Sequence, residues 1–245
     1  MTPPRISQGR LSSNIRTRRI SIDSIIGFIV TQLEDFPTWR DVKPDQNENY
    51  YNQRLERLLQ VRARKYCDAV QVGRESVYQT PGSHDVGVFP ADEEGLVVRD
   101  RLFGPEQPIY TLECKRLLST MRAERRREYL TSEKGEKPSG GVQRYKLCIH
   151  GAGLDMAGIV GYVQDEDLMA WRATINDWVG DLIARPVDKA IWDGNDRLRQ
   201  HPKFKRRKKL LMSKSASSRI RPSDIRLTHF FVDLRSPRQP ELALS

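Results

Sequence analysis

The sequence predicts an α/β domain with a mixed central β-sheet flanked by helices, and two observations lead there. Apolar residues recur at helical spacing in several long stretches, and between them stand short runs rich in Val, Ile, Tyr and Phe that are bounded by turn residues. From residue 47 onward the order is helix, three strands, helix, strand, helix, strand, the alternation of an α/β fold rather than of segregated layers. A chain of 245 residues can hold one such domain with a substantial core, and no internal repeat competes with that reading.

Residues 1–20 carry Pro3, Pro4 and scattered Ser and Arg, and read as a flexible basic arm. A helix follows: Ile22, Ile25, Ile26, Ile29, Val30 and Leu33 share one face, Ser21 or Asp23 caps the start, and Pro37 stops it. With its linker it occupies 21–46 and serves packing or docking rather than chemistry. Residues 47–66 form a second helix striped by Tyr51, Leu55, Leu58, Leu59 and Arg62, with Glu48 and Glu56 beside the stripe. Strands are expected at 70–79, 85–89 and 109–117, with a Thr80-Pro81-Gly82-Ser83 turn before the second and a charged loop or wide hairpin at 90–108 before the third. A charged helix at 122–129, a polar connection at 132–141, a helix at 142–149 and a strand at 156–163 come next. Leu168, Trp171, Ile175, Trp178, Val179 and Leu182 then mark an amphipathic helix, and a basic loop leads to a last strand at 225–234. The domain is therefore read as 47–245, with a core at 47–163 and the helix, basic loop and strand of 164–245 appended.

Net charge is +10, and the excess is clustered. Arg5, Arg10, Arg16, Arg18 and Arg19 have no acid among them, while Lys203-Phe204-Lys205-Arg206-Arg207-Lys208-Lys209 opens a run continued by Lys214, Arg219 and Arg221. Such blocks recruit polyanions through counterion release, so nucleic acid is the favoured partner. Few apolar residues interleave with them, as a membrane-surface anchor would need, and no apolar run approaches spanning length. Cys67, Cys114 and Cys148 are odd in number and widely spaced, matching neither a disulfide framework nor a zinc site. With no secretory-signal pattern, a reducing, cytoplasmic setting is expected.

Chemistry concentrates in residues 83–117. Asp85 opens one short strand, and Glu113 and Lys115 stand two apart on another, hence on one face. If the two strands pair, two carboxylates and a lysine meet in a small area. A phosphodiester repels hydroxide, and a hard cation held by carboxylates both neutralises that charge and acidifies a bound water. Asp85 and Glu113 are accordingly assigned as metal ligands, and Lys115 as the group that orients or helps deprotonate the attacking water. Glu56 is a further candidate ligand from the preceding helix, ahead of Glu48. Read blandly, the same residues are a surface Glu–Lys pair and a turn aspartate.

An Asp strand followed by a Glu113-Cys114-Lys115 strand, within helix, three strands, helix, strand, resembles the PD-(D/E)XK nuclease superfamily over residues 47–163. That superfamily includes restriction endonucleases, RecB-like nucleases and anti-phage effectors. The resemblance implies a restriction-endonuclease-like core, Mg²⁺ or Mn²⁺ as cofactor, a Cys114 main-chain carbonyl as an added ligand, and hydrolysis of DNA to 5′-phosphate products in restriction or phage defence. It also implies a supporting role for Gln143 on the helix after the lysine strand, although Tyr145 follows too closely for the family pattern and reads as core. Arg144 and Lys146 are alternative phosphate contacts. A protein partner in a defence assembly, or a second copy of the chain, is left open. The rival functions are a non-catalytic nucleic-acid-binding protein that keeps the fold and a protein-interaction subunit.

Overall fold

The computed structural model describes residues 17–40, 42–73, 85–132, 137–203, 206–219 and 224–235. Strand β1 (Arg18–Arg19) precedes α1 (Ile22–Asp35), which starts where Ser21 Oγ accepts the Ser24 N–H at 3.0 Å. Pro37 lies in a single 3-10 turn, Phe36–Thr38, that closes α1. Helix α2 (Glu48–Tyr66) is capped by Asn47, whose side chain accepts from Tyr50 N at 2.9 Å. Strands β2 (Val70–Gly73), β3 (Val86–Pro90), β4 (Leu96–Val98), β5 (Arg101–Phe103) and β6 (Tyr110–Leu117) follow. Two short helices, α3 (Ala123–Arg127) and α4 (Gly141–Lys146), lead to β7 (Met156–Val163). Helix α5 (Leu168–Ala184), capped by Asp167, is followed by β8 (Arg199–Gln200), β9 (Leu210–Ser217) and β10 (Ile225–Asp233).

The main sheet has seven strands in the order β2-β3-β6-β7-β10-β9-β8. Pairing is antiparallel through β2, β3 and β6, parallel through β6, β7 and β10, and antiparallel again through β10, β9 and β8. The sheet is thus mixed, as the sequence predicts. Alternation along the strands sends side chains to two cores. On one face Leu112, Cys114, Val160, Tyr162 and Phe230 join the stripes of α1 and α2. On the other, Ala157, Ile159, Leu227 and Phe231 pack with Val142 and Tyr145 of α4 and with Leu168, Trp171, Ile175, Val179 and Leu182 of α5. Each of these large side chains contributes about 1.5–3 kcal/mol by leaving water, so Trp171 is core, as its spacing suggested.

Three stretches differ from the sequence reading. Arg18–Arg19, assigned to the flexible arm, pair in parallel with β4. Residues 90–108, read as a loop or wide hairpin, contain the tight β4–β5 hairpin, whose turn residues Arg99 and Asp100 have φ of 50° and 60°. The basic loop before the last strand holds β8 and the eight-residue β9. Residues 74–79 of the first expected strand, with His84, lie outside the described residues.

Candidate active site

Strand β6 outruns its neighbour. Its pairing with β3 ends at Val86 opposite Leu112, so residues 113–117 keep a parallel partner in β7 but, among the described residues, present an open edge on the other side. Backbone N–H groups on such an edge need acceptors. Two carboxylates supply them: Asp85 Oδ2 accepts from Cys114 N at 2.7 Å, and Glu48 Oε2 accepts from Arg116 N at 3.0 Å. Because a strand residue directs its N–H and C=O to the same side, the Cys114 carbonyl shares this edge.

Glu48 arrives here because the entry to α2 is pinned. The Tyr51 hydroxyl accepts from Gln46 N at 3.1 Å and donates to the Lys43 carbonyl at 3.1 Å, while Gln164 Nε2 donates to the Gln46 carbonyl at 3.2 Å. Glu48 is thereby fixed in the first turn of α2. Glu56 lies two turns further along that helix, about 12 Å on its axis, so the helix brings Glu48 rather than Glu56 to the lysine.

Glu113 and Lys115 lie on the face covered by α4. A Cβ built on Gly141 would stand 3.0 Å from the Tyr129 carbonyl oxygen, 3.3 Å from Glu113 Cγ and 3.7 Å from Lys115 Cγ, so the start of the helix packs tightly over this face. Glu113 is fully buried. Its Oε1 meets Lys115 Nζ at 3.0 Å and Arg144 NH1 at 3.1 Å, and its Oε2 meets His150 Nδ1 at 3.0 Å. Lys115 Nζ also lies 3.8 Å from Glu48 Oε1.

These contacts set the protonation. Burial by itself would raise Glu113, but Lys115, His150 and Arg144 outweigh it and hold the carboxyl at about 2. Burial, and then the Glu113 charge, push Asp85 up to about 7 against the pull of Lys115 and the Cys114 N–H. Burial opposes the Lys115 ammonium, yet Glu113, Glu48 and Asp85 raise it above the ordinary lysine value. Lys115 therefore stays cationic at neutral pH.

Three predicted residues, Asp85, Glu113 and Lys115, come together, with the Cys114 backbone between them. Gln143 is placed differently. Its Oε1 accepts from Ser132 N, Ser132 Oγ and Gly140 N at 3.0–3.2 Å, and its Nε2 donates to Asp188 at 2.5 Å. It braces the loops around α4. Lys146 is also spent inside, 2.7 Å from Asp196 with both groups buried, so it does not present itself to an external phosphate. Arg144 remains partly open beside Glu113. Sequence reasoning missed His150 entirely, because a histidine after a short helix carries no spacing signal toward a strand far earlier in the chain.

Among the described residues no group of three His, Cys, Asp or Glu side chains forms a ready metal cage. The donor set nonetheless suits a hard cation: Glu48, Asp85 and Glu113 offer only carboxylate oxygen, and all three act on Lys115. Comparison with protein-family models, with curated proteins and with solved structures finds no match for the chain.

Proposed function

We propose that the open edge of β6 is the active site of a metal-dependent nuclease with a restriction-endonuclease-like core. The observation that carries the reading is the gathering of Glu48, Asp85 and Glu113 around a buried Lys115 on an unpaired strand edge. Support also comes from the order α2, β2, β3, β6, α4, β7, with the β4–β5 hairpin and α3 intervening, which matches the element order of that superfamily. Glu48, Asp85, Glu113 and the Cys114 carbonyl would hold Mg²⁺, with Mn²⁺ as a substitute. Bound there, the ion would supply charge neutralisation at a scissile phosphate and an acidified water. Lys115, kept protonated by its carboxylates, positions the attacking water and balances negative charge rather than removing a proton. Arg144, the partly exposed cation beside Glu113, would add to that charge balance.

Nucleic acid is the substrate class that the chain's net charge of +10 favours; the resemblance to that superfamily points to DNA ahead of RNA and to restriction or phage defence as the setting, as a single chain or as the nuclease subunit of an assembly. The alternative is a non-catalytic nucleic-acid-binding or interaction protein of the same fold. One observation favours it: both Glu113 oxygens already face cationic or imidazole groups. The test is to incubate plasmid, linear and single-stranded DNA and RNA with purified protein and Mg²⁺ or Mn²⁺. Cleavage by wild type, lost in Asp85→Ala and Lys115→Ala, is expected. Cleavage that survives in both variants would remove the assignment.

A further inference from the structure

A second concentration of charge lies away from this site. A cavity of about 340 Å³ opens between the first turn of α1, the β4–β5 turn, and strands β8, β9 and β10. Arg99, Arg199, Lys203, Lys214 and Arg226 line it against one carboxylate, Asp23. That carboxylate is already engaged by Lys203. Among the described residues no acid pairs with Lys214, Arg199 or Arg226.

The arrangement is costly without a counter-anion. Lys214 and Arg199 are direct cross-strand partners, and like charges so placed repel. Arg226 extends from the neighbouring strand, two residues from Thr228, which is the other partner of Lys214. Arg99 reaches the rim from a left-handed conformation, with φ of 50°, that an L side chain adopts at a cost. Burial and Lys214 both lower the His201 imidazole on the cavity wall, in keeping with a positive interior. Met156, Pro202 and Leu227 add apolar surface.

Register places the cavity on the opposite face of the sheet from Glu113 and Lys115. Lys214 is level with Thr228, Thr228 with Gly158, and Gly158 with Leu112, so Lys214 projects on the Leu112 face and not on that of Glu113. We propose that this cavity binds a phosphate-bearing ligand of about nucleotide size, separately from the β6 site.

Two sources share that chemistry, a free nucleotide and the backbone of a nucleic acid. Calorimetric titration of the full chain with pyrophosphate, ADP and a short DNA duplex distinguishes them. Pyrophosphate binding is expected, weakened about tenfold or more by Lys214→Gln or Arg226→Gln, since each removes a charge-assisted contact. Lys115→Ala is expected to bind pyrophosphate as wild type does, which separates this claim from the nuclease reading. ADP binding that Lys214→Gln weakens identifies a nucleotide site, and duplex binding so weakened without ADP binding identifies a backbone contact. Because Lys214 is exposed and faces Arg199, Lys214→Gln is expected to melt no lower than wild type without ligand. Failure of all three probes to bind, or binding indifferent to both substitutions, would overturn the proposal.

Discussion

At the scale of single residues, Glu113 is fully buried against Lys115, Arg144 and His150, and its loss is felt in stability. Glu113→Gln leaves the Lys115 and Arg144 cations beside a neutral amide, and breaking a buried pair in this way costs about 3–5 kcal/mol. Urea unfolding is expected to show that loss with or without metal. Glu48 is less buried and acts at the strand edge, so Glu48→Gln should reduce Mg²⁺-dependent cleavage by at least about tenfold, whereas Glu56→Gln should leave the rate unchanged. His229 gives a pH signature outside the site. Burial lowers its imidazole to about 3, and it is held neutral between Tyr129 and Ser215. Between the ordinary histidine value near 6.5 and about 3, the unfolded chain binds the proton and the folded chain does not. Stability from this group is therefore complete above pH ~6.5 and falls on acidification by up to ~1.4 kcal/mol per pH unit. Unfolding free energies at pH 7 and pH 5 should differ less in His229→Gln than in wild type.

At the scale of elements, the overhang of β6 beyond β3 makes the site, and the close approach of α4 covers it. A Cβ on Gly140 would lie 2.2 Å from Thr131 Cα and 2.6 Å from the Leu130 carbonyl, both backbone atoms that cannot step aside. Gly140→Ala should destabilise by about 1–3 kcal/mol, a fall of several degrees in a thermal melt. Which elements were legible in the sequence follows from the same physics. The α1, α2 and α5 stripes declared themselves because each buries one regular set of apolar side chains, and β7 because it is a continuous apolar run buried on both faces. The β4–β5 hairpin did not, since its turn is Arg99-Asp100 where a left-handed pair normally advertises itself with Asn-Gly. Strand β9 hid behind Ser213, Ser215 and Ser217, which look like loop residues but are buried. Ser215 meets His229, and Ser217 donates to Asp196 at 2.6 Å. Alternation put Glu113 and Lys115 on one face, and Asp85 joined them only on the expectation that its strand pairs with theirs, as β3 and β6 do. Glu48 was harder to rank, because only the pinned entry to α2 decides which of two helix glutamates reaches the strand.

At the scale of the whole molecule, the charge distribution is more restrained than the sequence suggests. In the basic block, Lys203 pairs with Asp23, Arg206 with Asp167, Arg207 with Glu34 and Lys209 with Asp233, while Arg219 is buried. Among the described residues much of that block braces its own fold, while Lys203 and Lys214 line the β8–β10 cavity. No helix among the described residues is long and apolar enough to cross a membrane. The reading of the chain as a nuclease stands on whether the β6 edge takes up a divalent cation, and this can be measured without knowing the substrate or any activating partner. Titration of Mn²⁺ into the full chain, with free ion followed by electron paramagnetic resonance, addresses it in wild type, Asp85→Asn and Glu48→Gln, each checked for a normal melt. Saturable Mn²⁺ uptake by wild type, weakened about tenfold or more in both variants, is the expected result. No uptake by wild type, or uptake that both variants retain unchanged, would contradict it.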